Sequence, residues 1–155
     1  MLQFLHEQGH ALTLDVCVAA AASNHTGCLQ YAITHGCSWD VTISTAAARA
    51  GAESTLACAV WHGCPCTIET CIAAAEAGSL PCLQLLHDHQ CPWDQRVSEA
   101  AVASGSAAAL RYCVEHGCPM NRSTMHEYNK HRLNVSSKDR QTPLTEWNQV
   151  VRKSW

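Results

Sequence analysis

A chain of 155 residues that is 47% apolar carries enough hydrophobic material for a folded core, which excludes wholesale disorder. Only 15% of it is charged and 6% aromatic, with a single Phe, so the core must be built from small and slim side chains that suit close helix packing. A net charge of −3 leaves no footprint for nucleic-acid binding by the whole chain, and no run of about 18 apolar residues is present to cross a membrane.

From the N-terminus, residues 1–10 (MLQFLHEQGH) show no basic segment, and His6 and Glu7 interrupt the short apolar run, so this is not a signal peptide. Beyond them the chain is a tandem repeat. His-Gly-Cys occurs at 35–37, 62–64 and 116–118, with His-Gln-Cys at 89–91, always in steps of 27. Ala20, Ala47, Ala74 and Ala101 share one column of this register, and Leu2, Leu29, Leu56, Leu83 and Leu110 share another. Gly51, Gly78 and Gly105 share a third, with Asn24 in the first place.

The unit over residues 67–94 serves for all. Residues 68–77 are good helix formers with Cys71, Ala74 and Ala75 on one face, and Gly78 suits a left-handed helix end. A second helix over 80–89 has an apolar stripe of Cys82, Leu83, Leu85 and Leu86, and Cys91-Pro92 is expected to stop it. Helices of about ten residues are too short to stand alone, so neighbouring units must stack. Residues 1–10 fill second-helix columns and read as half a repeat, which suggests a truncated gene or a fragment of a longer array. The repeats proper span 11–121.

After Cys118-Pro119 the paired-alanine columns become Tyr128 and Asn129, as in a helix that caps a stack. Residues 122–155 read as that capping helix and a basic, partly flexible tail. Thr142-Pro143 opens a last helix over 144–153. Residues 1–121 hold 3 basic against 10 acidic side chains, and 122–155 hold 7 against 3. The tail has no run of five basic residues, so a nucleic-acid role for it is a weak reading.

The unit resembles an ankyrin repeat, a family whose pattern places two alanines late in the first helix, a Gly at its end, a leucine-rich second helix and a closing His-Gly. Here those places hold Ala74-Ala75, Gly78, Leu83, Leu85-Leu86 and His89-Gln90. The period of 27 falls short of the family's usual length of about 33 residues, which removes most of the projecting β-hairpin finger. Glu69-Thr70-Cys71-Ile72 stands where Thr-Pro-Leu-His is usual, and Cys91-Pro92-Trp93-Asp94 is similar to the loop of a short-repeat variant of the family with C-L-x-Y…G-C-P-W-D units. The resemblance implies an all-α, ankyrin-type helix-turn-helix solenoid with short inter-repeat loops and little or no β-hairpin finger.

Eleven cysteines and ten histidines raise metal binding first. Zinc sites pair close ligands at fixed spacing, and no such spacing recurs from unit to unit. Eight cysteines (17, 28, 37, 64, 71, 82, 91 and 118) sit in columns where another unit also has Cys, as small buried hydrophobes multiplied by duplication would. Neither a metal nor a cofactor is expected. The Cys/His pair recurs at three places, unlike a catalytic dyad, and its histidine is expected to cap the second helix; no enzyme motif is present. The odd thiol count and the absent leader point to an intracellular setting, cytoplasmic or nuclear.

The remaining function is non-catalytic protein–protein interaction, as scaffold or adaptor, by a monomer or array fragment whose partner is another protein. A Cys/His-rich metal- or redox-responsive protein is the competing class. By the resemblance, partners meet the loop tips and the exposed side of the first helices. The loop residues are Trp39, Asp40, Cys66, Thr67, Trp93, Asp94, Gln95, Arg96, Met120 and Asn121. Arg49 and Glu76 are the helix positions, flanked by Ala22-Ser23 and Ala103-Ser104. Trp39 and Trp93 equally suit a covering role over the stack. Trp61 shares its column with Thr34, Asp88 and Glu115 and is expected in solvent.

Overall fold

A computed structural model of the chain describes Glu7 and residues 12–134, the last four by backbone alone. The half repeat expected over 1–10, Glu7 apart, and the tail beyond 134, with its expected helix over 144–153, lie outside the described residues. Nine helices and no strand occur among those described: α1 (Leu14–Ala22), α2 (Thr26–Thr34), α3 (Val41–Arg49), α4 (Glu53–Trp61), α5 (Ile68–Glu76), α6 (Leu80–Asp88), α7 (Gln95–Ala103), α8 (Ala107–Glu115) and α9 (Arg122–Asn134). The first eight are nine residues each, one helix pair per 27-residue period.

Local chemistry sets both ends of these helices. Asp40 and Asp94 accept from the backbone N–H two residues on, at 2.7 and 2.8 Å, and so cap α3 and α7. Thr67 and Thr70 form a reciprocal capping box at the start of α5. The odd-numbered helices α1 and α5 end at residues with positive φ, Asn24 (56°) and Gly78 (64°). At the end of α6 the expectation needs correction. The helix stops at Asp88, ahead of Cys91-Pro92, because Gln90 adopts a left-handed φ of 57°. The Cys91 N–H then bonds the Leu86 carbonyl at 3.0 Å and the Gln90 N–H bonds that of His87 at 2.9 Å. Glycine fills the equivalent place after α2, α4 and α8.

The odd-numbered helices pack in series, α1 on α3, α3 on α5, α5 on α7 and α7 on α9, while α2, α4, α6 and α8 form a second series. Helices α1, α3, α5 and α7 each also pack on the even-numbered helix that comes after them, and α9 touches α8. Ala47, Ala48, Ala74 and Ala75 are fully buried, as the alanine columns require for close approach. Leu29, Leu56, Leu83 and Leu110, one per unit, form the buried line of the second series. Tyr128 of α9 packs against this core and Asn129 is exposed.

Five buried hydroxyls stitch the structure, a feature apolar periodicity does not reveal. Ser44 donates to the Pro65 carbonyl at 2.7 Å, and Ser98, one double unit on, donates to that of Pro119 at 2.8 Å. Thr55 donates to Asn24 Oδ1 and Thr124 to the Asn121 carbonyl, at 2.8 and 2.9 Å, while Thr70 and Thr45 share a bond of 3.2 Å. Each polar group is thereby satisfied inside the core.

Candidate interaction surface

The loops that leave the even-numbered helices carry a row of imidazoles and aromatic rings. His35, His62 and His116 lie 2.8, 2.7 and 2.9 Å through Nδ1 from the carbonyl four residues earlier. A carbonyl only accepts, so Nδ1 carries the hydrogen and each ring caps its helix, as the sequence leads one to expect. His89, in the same column, instead meets Trp61 edge-on, with centroids 5.7 Å apart.

Contacts in this row cross from unit to unit. Trp39 stacks on His62 of the next unit at 6.1 Å. His87 lies against Trp93 at 5.0 Å and His116 at 4.8 Å, and the Tyr112 hydroxyl is 3.3 Å from His87 Nδ1. An open groove lined by His87, Asp88, Trp93, His116 and Pro119 lies among these rings. The Trp93 indole N–H is buried without a hydrogen-bond partner among the described residues.

Trp61 is 76% exposed, the large apolar side chain most open to solvent among the described residues. Arg49 and Glu76 are exposed and take part in no ion pair among the described residues. Trp39 and Trp93 are half-buried against the core, so their rings serve the stack as well as the surface.

Five further positions expected in loops are engaged in local structure, and two of them, Gln95 and Arg96, lie instead in the first turn of α7. Asp40, Thr67 and Asp94 are the helix caps already described. Arg96 is held by Glu69 and Asp94, both at 2.9 Å, and Gln95 donates to Glu99 at 2.7 Å. Slight burial pulls the Asp94 carboxyl upward, but hydrogen bonds from the Arg96 side chain and backbone hold it below its ordinary value. The structure therefore gathers Trp39 and Trp93 into the ring row and sets Trp61 beside it, while Arg49 and Glu76 stand on the odd-numbered helices. His62, His89 and His116, expected from their 27-residue column only as helix caps, also join the surface, as do His87 and Tyr112, which stand outside that column and had no such signal.

The cysteines divide into kinds. Loop thiols of Cys64 and Cys118 donate to the carbonyls of the helix caps Asp40 and Asp94, at 3.0 and 3.3 Å. Desolvation raises the thiols of Cys58, Cys64 and Cys82 above their ordinary range. Cys91 is pushed up to about 12; a hydrogen bond with Cys66 opposes the rise, and one with Cys71 together with burial drives it. Cys118 is lowered by its hydrogen bond from Cys113. Cys17 and Cys37 form a disulfide, so for this pair simple hydrophobic packing is not the whole account. Among the described residues no three His, Cys, Asp or Glu side chains are grouped so as to hold a metal ion, and no helix is long and apolar enough to cross a membrane.

No family model, curated protein or solved structure matches the chain.

Proposed function

We propose that the chain is an ankyrin-type helical solenoid that works as a non-catalytic protein–protein interaction scaffold or adaptor, with α9 as its capping helix. The observation that carries this reading is a division of labour along one register. The Ala and Leu columns are buried in successive units, whereas Arg49, Glu76 and Trp61 are exposed and differ from their counterparts in other units. A rigid stack of this kind offers side chains to a partner without reorganising, which lowers the entropic cost of binding. The loop rings and the exposed side of the odd-numbered helices supply the contact surface, and the acid excess of residues 1–121 favours a partner segment with basic side chains.

Affinity capture with the full chain, compared with an Arg49→Ala/Glu76→Ala/Trp61→Ala variant of equal stability, tests this. Partners held by the parent and lost from the variant support the reading. A parent that retains no protein reproducibly, or a variant that retains the same set equally well, rejects it.

A further inference from the structure

The open groove between the loops that follow α6 and α8 has a volume of about 660 Å³, within the usual range of ligand sites of about 300–1,000 Å³. Its lining joins flat rings to one negative charge. Trp93, His87 and His116 supply the rings, with His87 set 5.0 Å from Trp93 and 4.8 Å from His116. Asp88 supplies the charge; it is exposed and takes part in no ion pair among the described residues. Among the described residues that line the groove, none is lysine or arginine. An unpaired carboxylate beside an aromatic ring is matched by a guanidinium, whose plane stacks on the ring while two parallel N–H groups donate to the carboxylate oxygens.

The array supplies its own comparison one double unit earlier. Trp39, His62 and Pro65 stand in the places of Trp93, His116 and Pro119, and Trp39 stacks on His62 at 6.1 Å. Ile33 and Thr34, however, stand in the places of His87 and Asp88. Both places thus hold a tryptophan and an imidazole, and only the later one has the carboxylate. We propose that the groove at Trp93 binds the side chain of an arginine in a partner protein segment, with the guanidinium stacked on the indole and hydrogen-bonded to Asp88. It rests on the scaffold reading, of which it specifies the partner side chain. The acid excess of residues 1–121 draws a cationic segment toward the array. An uncharged side chain leaves Asp88 without a counter-charge, and the compact, strongly hydrated ammonium of lysine lacks a plane to stack.

The test follows the isotope-labelled full chain by NMR as the peptide acetyl-Gly-Ser-Arg-Ser-Gly-amide is added. The Trp93 indole N–H is buried without a hydrogen-bond partner among the described residues, and Gly117 lines the groove, so both resonances report there. Saturable shifts of both are expected, with the Trp39 indole unmoved. A citrulline peptide, planar but uncharged, should bind about fivefold more weakly. A lysine peptide, charged but not planar, should bind about threefold more weakly. Asp88→Thr, which copies Thr34, should weaken the arginine peptide by about fivefold. Trp93→Leu, read at Gly117, should weaken it by about threefold.

Circular dichroism confirms that each variant is folded, and the comparison of the three peptides on the parent chain needs no variant. The proposal is overturned if neither resonance shifts saturably, if the citrulline or lysine peptide binds as well as the arginine one, or if Trp39 responds with the same affinity as Trp93. A folded Asp88→Thr chain that binds the arginine peptide like the parent overturns it as well. Failure at the groove is distinguishable from failure of the scaffold reading, because the capture comparison varies Arg49, Glu76 and Trp61 and leaves every groove residue in place.

Discussion

The Thr55 hydroxyl donates to Asn24 Oδ1 at 2.8 Å, which ties helix α4 to the turn that ends α1 in the preceding unit. Asn24 thus has two tasks: it accepts a left-handed φ of 56°, and it supplies the acceptor for a fully buried hydroxyl. Glycine meets the first task alone. At Gly51 and Gly78 no such acceptor is needed, because Cys82 and Ala109 stand where Thr55 does.

Two substitutions separate the tasks of Asn24. Asn24→Ala loses the bond and places a Cβ-bearing residue with no local hydrogen bond in the left-handed region, for a loss of roughly 2–3 kcal/mol. Asn24→Gly keeps the backbone at ease and loses only the bond, for about 1 kcal/mol or less. Urea unfolding measures both, and equal losses would refute the division.

Gln90 is the converse case. It holds a φ of 57° where other units have glycine, without an obvious gain from its side chain. Gln90→Gly should raise stability by about 0.5–1 kcal/mol. At Gly78 a Cβ would meet that of Ser106 at 3.1 Å, so Gly78→Ala should lose about 1–2 kcal/mol from φ and more from crowding. Opposite shifts in urea midpoint are expected, and shifts of one sign would contradict the assignment.

Ala74 is fully buried on α5, the helix that packs between α3 and α7. Ala74→Leu should lose about 1–3 kcal/mol by overpacking. An unchanged thermal midpoint would show that the series is less closely packed than described.

Acid should erase the contribution of Asp94. Its carboxyl titrates below the ordinary value in the folded chain, so the stabilisation is complete above the unfolded value of about 3.9 and fades as pH falls through the folded one. Asp94→Asn still caps α7 but gives up the charge beside Arg96, which at this exposed site is worth at most about 1 kcal/mol. The difference in Tm between parent and variant should be present at pH 7 and shrink toward zero below about pH 4. A difference that stays constant well below that acidity, where the folded carboxyl takes up its proton, would remove the ion pair as its cause.

Periodicity made the helix pairs legible because spacing records which side must be buried, and Ala47, Ala74 and Leu83 advertise it in every unit. The end of α6 was harder. Proline announces a stop, whereas Gln90 becomes left-handed only because the two bonds that close the helix hold it there. Asp40, Thr67 and Asp94 resemble a contact surface in sequence, since loop tips and helix caps draw on the same short polar residues; hydrogen-bond geometry tells them apart. The ring row was hidden for another reason. Trp39 and His62 lie 23 positions apart, and their meeting depends on how one unit is set on the next.

The serial packing of the helices also bears on synthesis. Among the described residues, side-chain hydrogen bonds between units join residues at most 31 positions apart, and the main helix contacts join each element to the next one or two. Chains whose contacts are this local fold quickly, since no distant ends have to find one another. As each pair of helices leaves the ribosome, the surface it must cover has already been made by the 27 residues before it, so the nascent chain can bury its apolar side stepwise rather than waiting for its last residue.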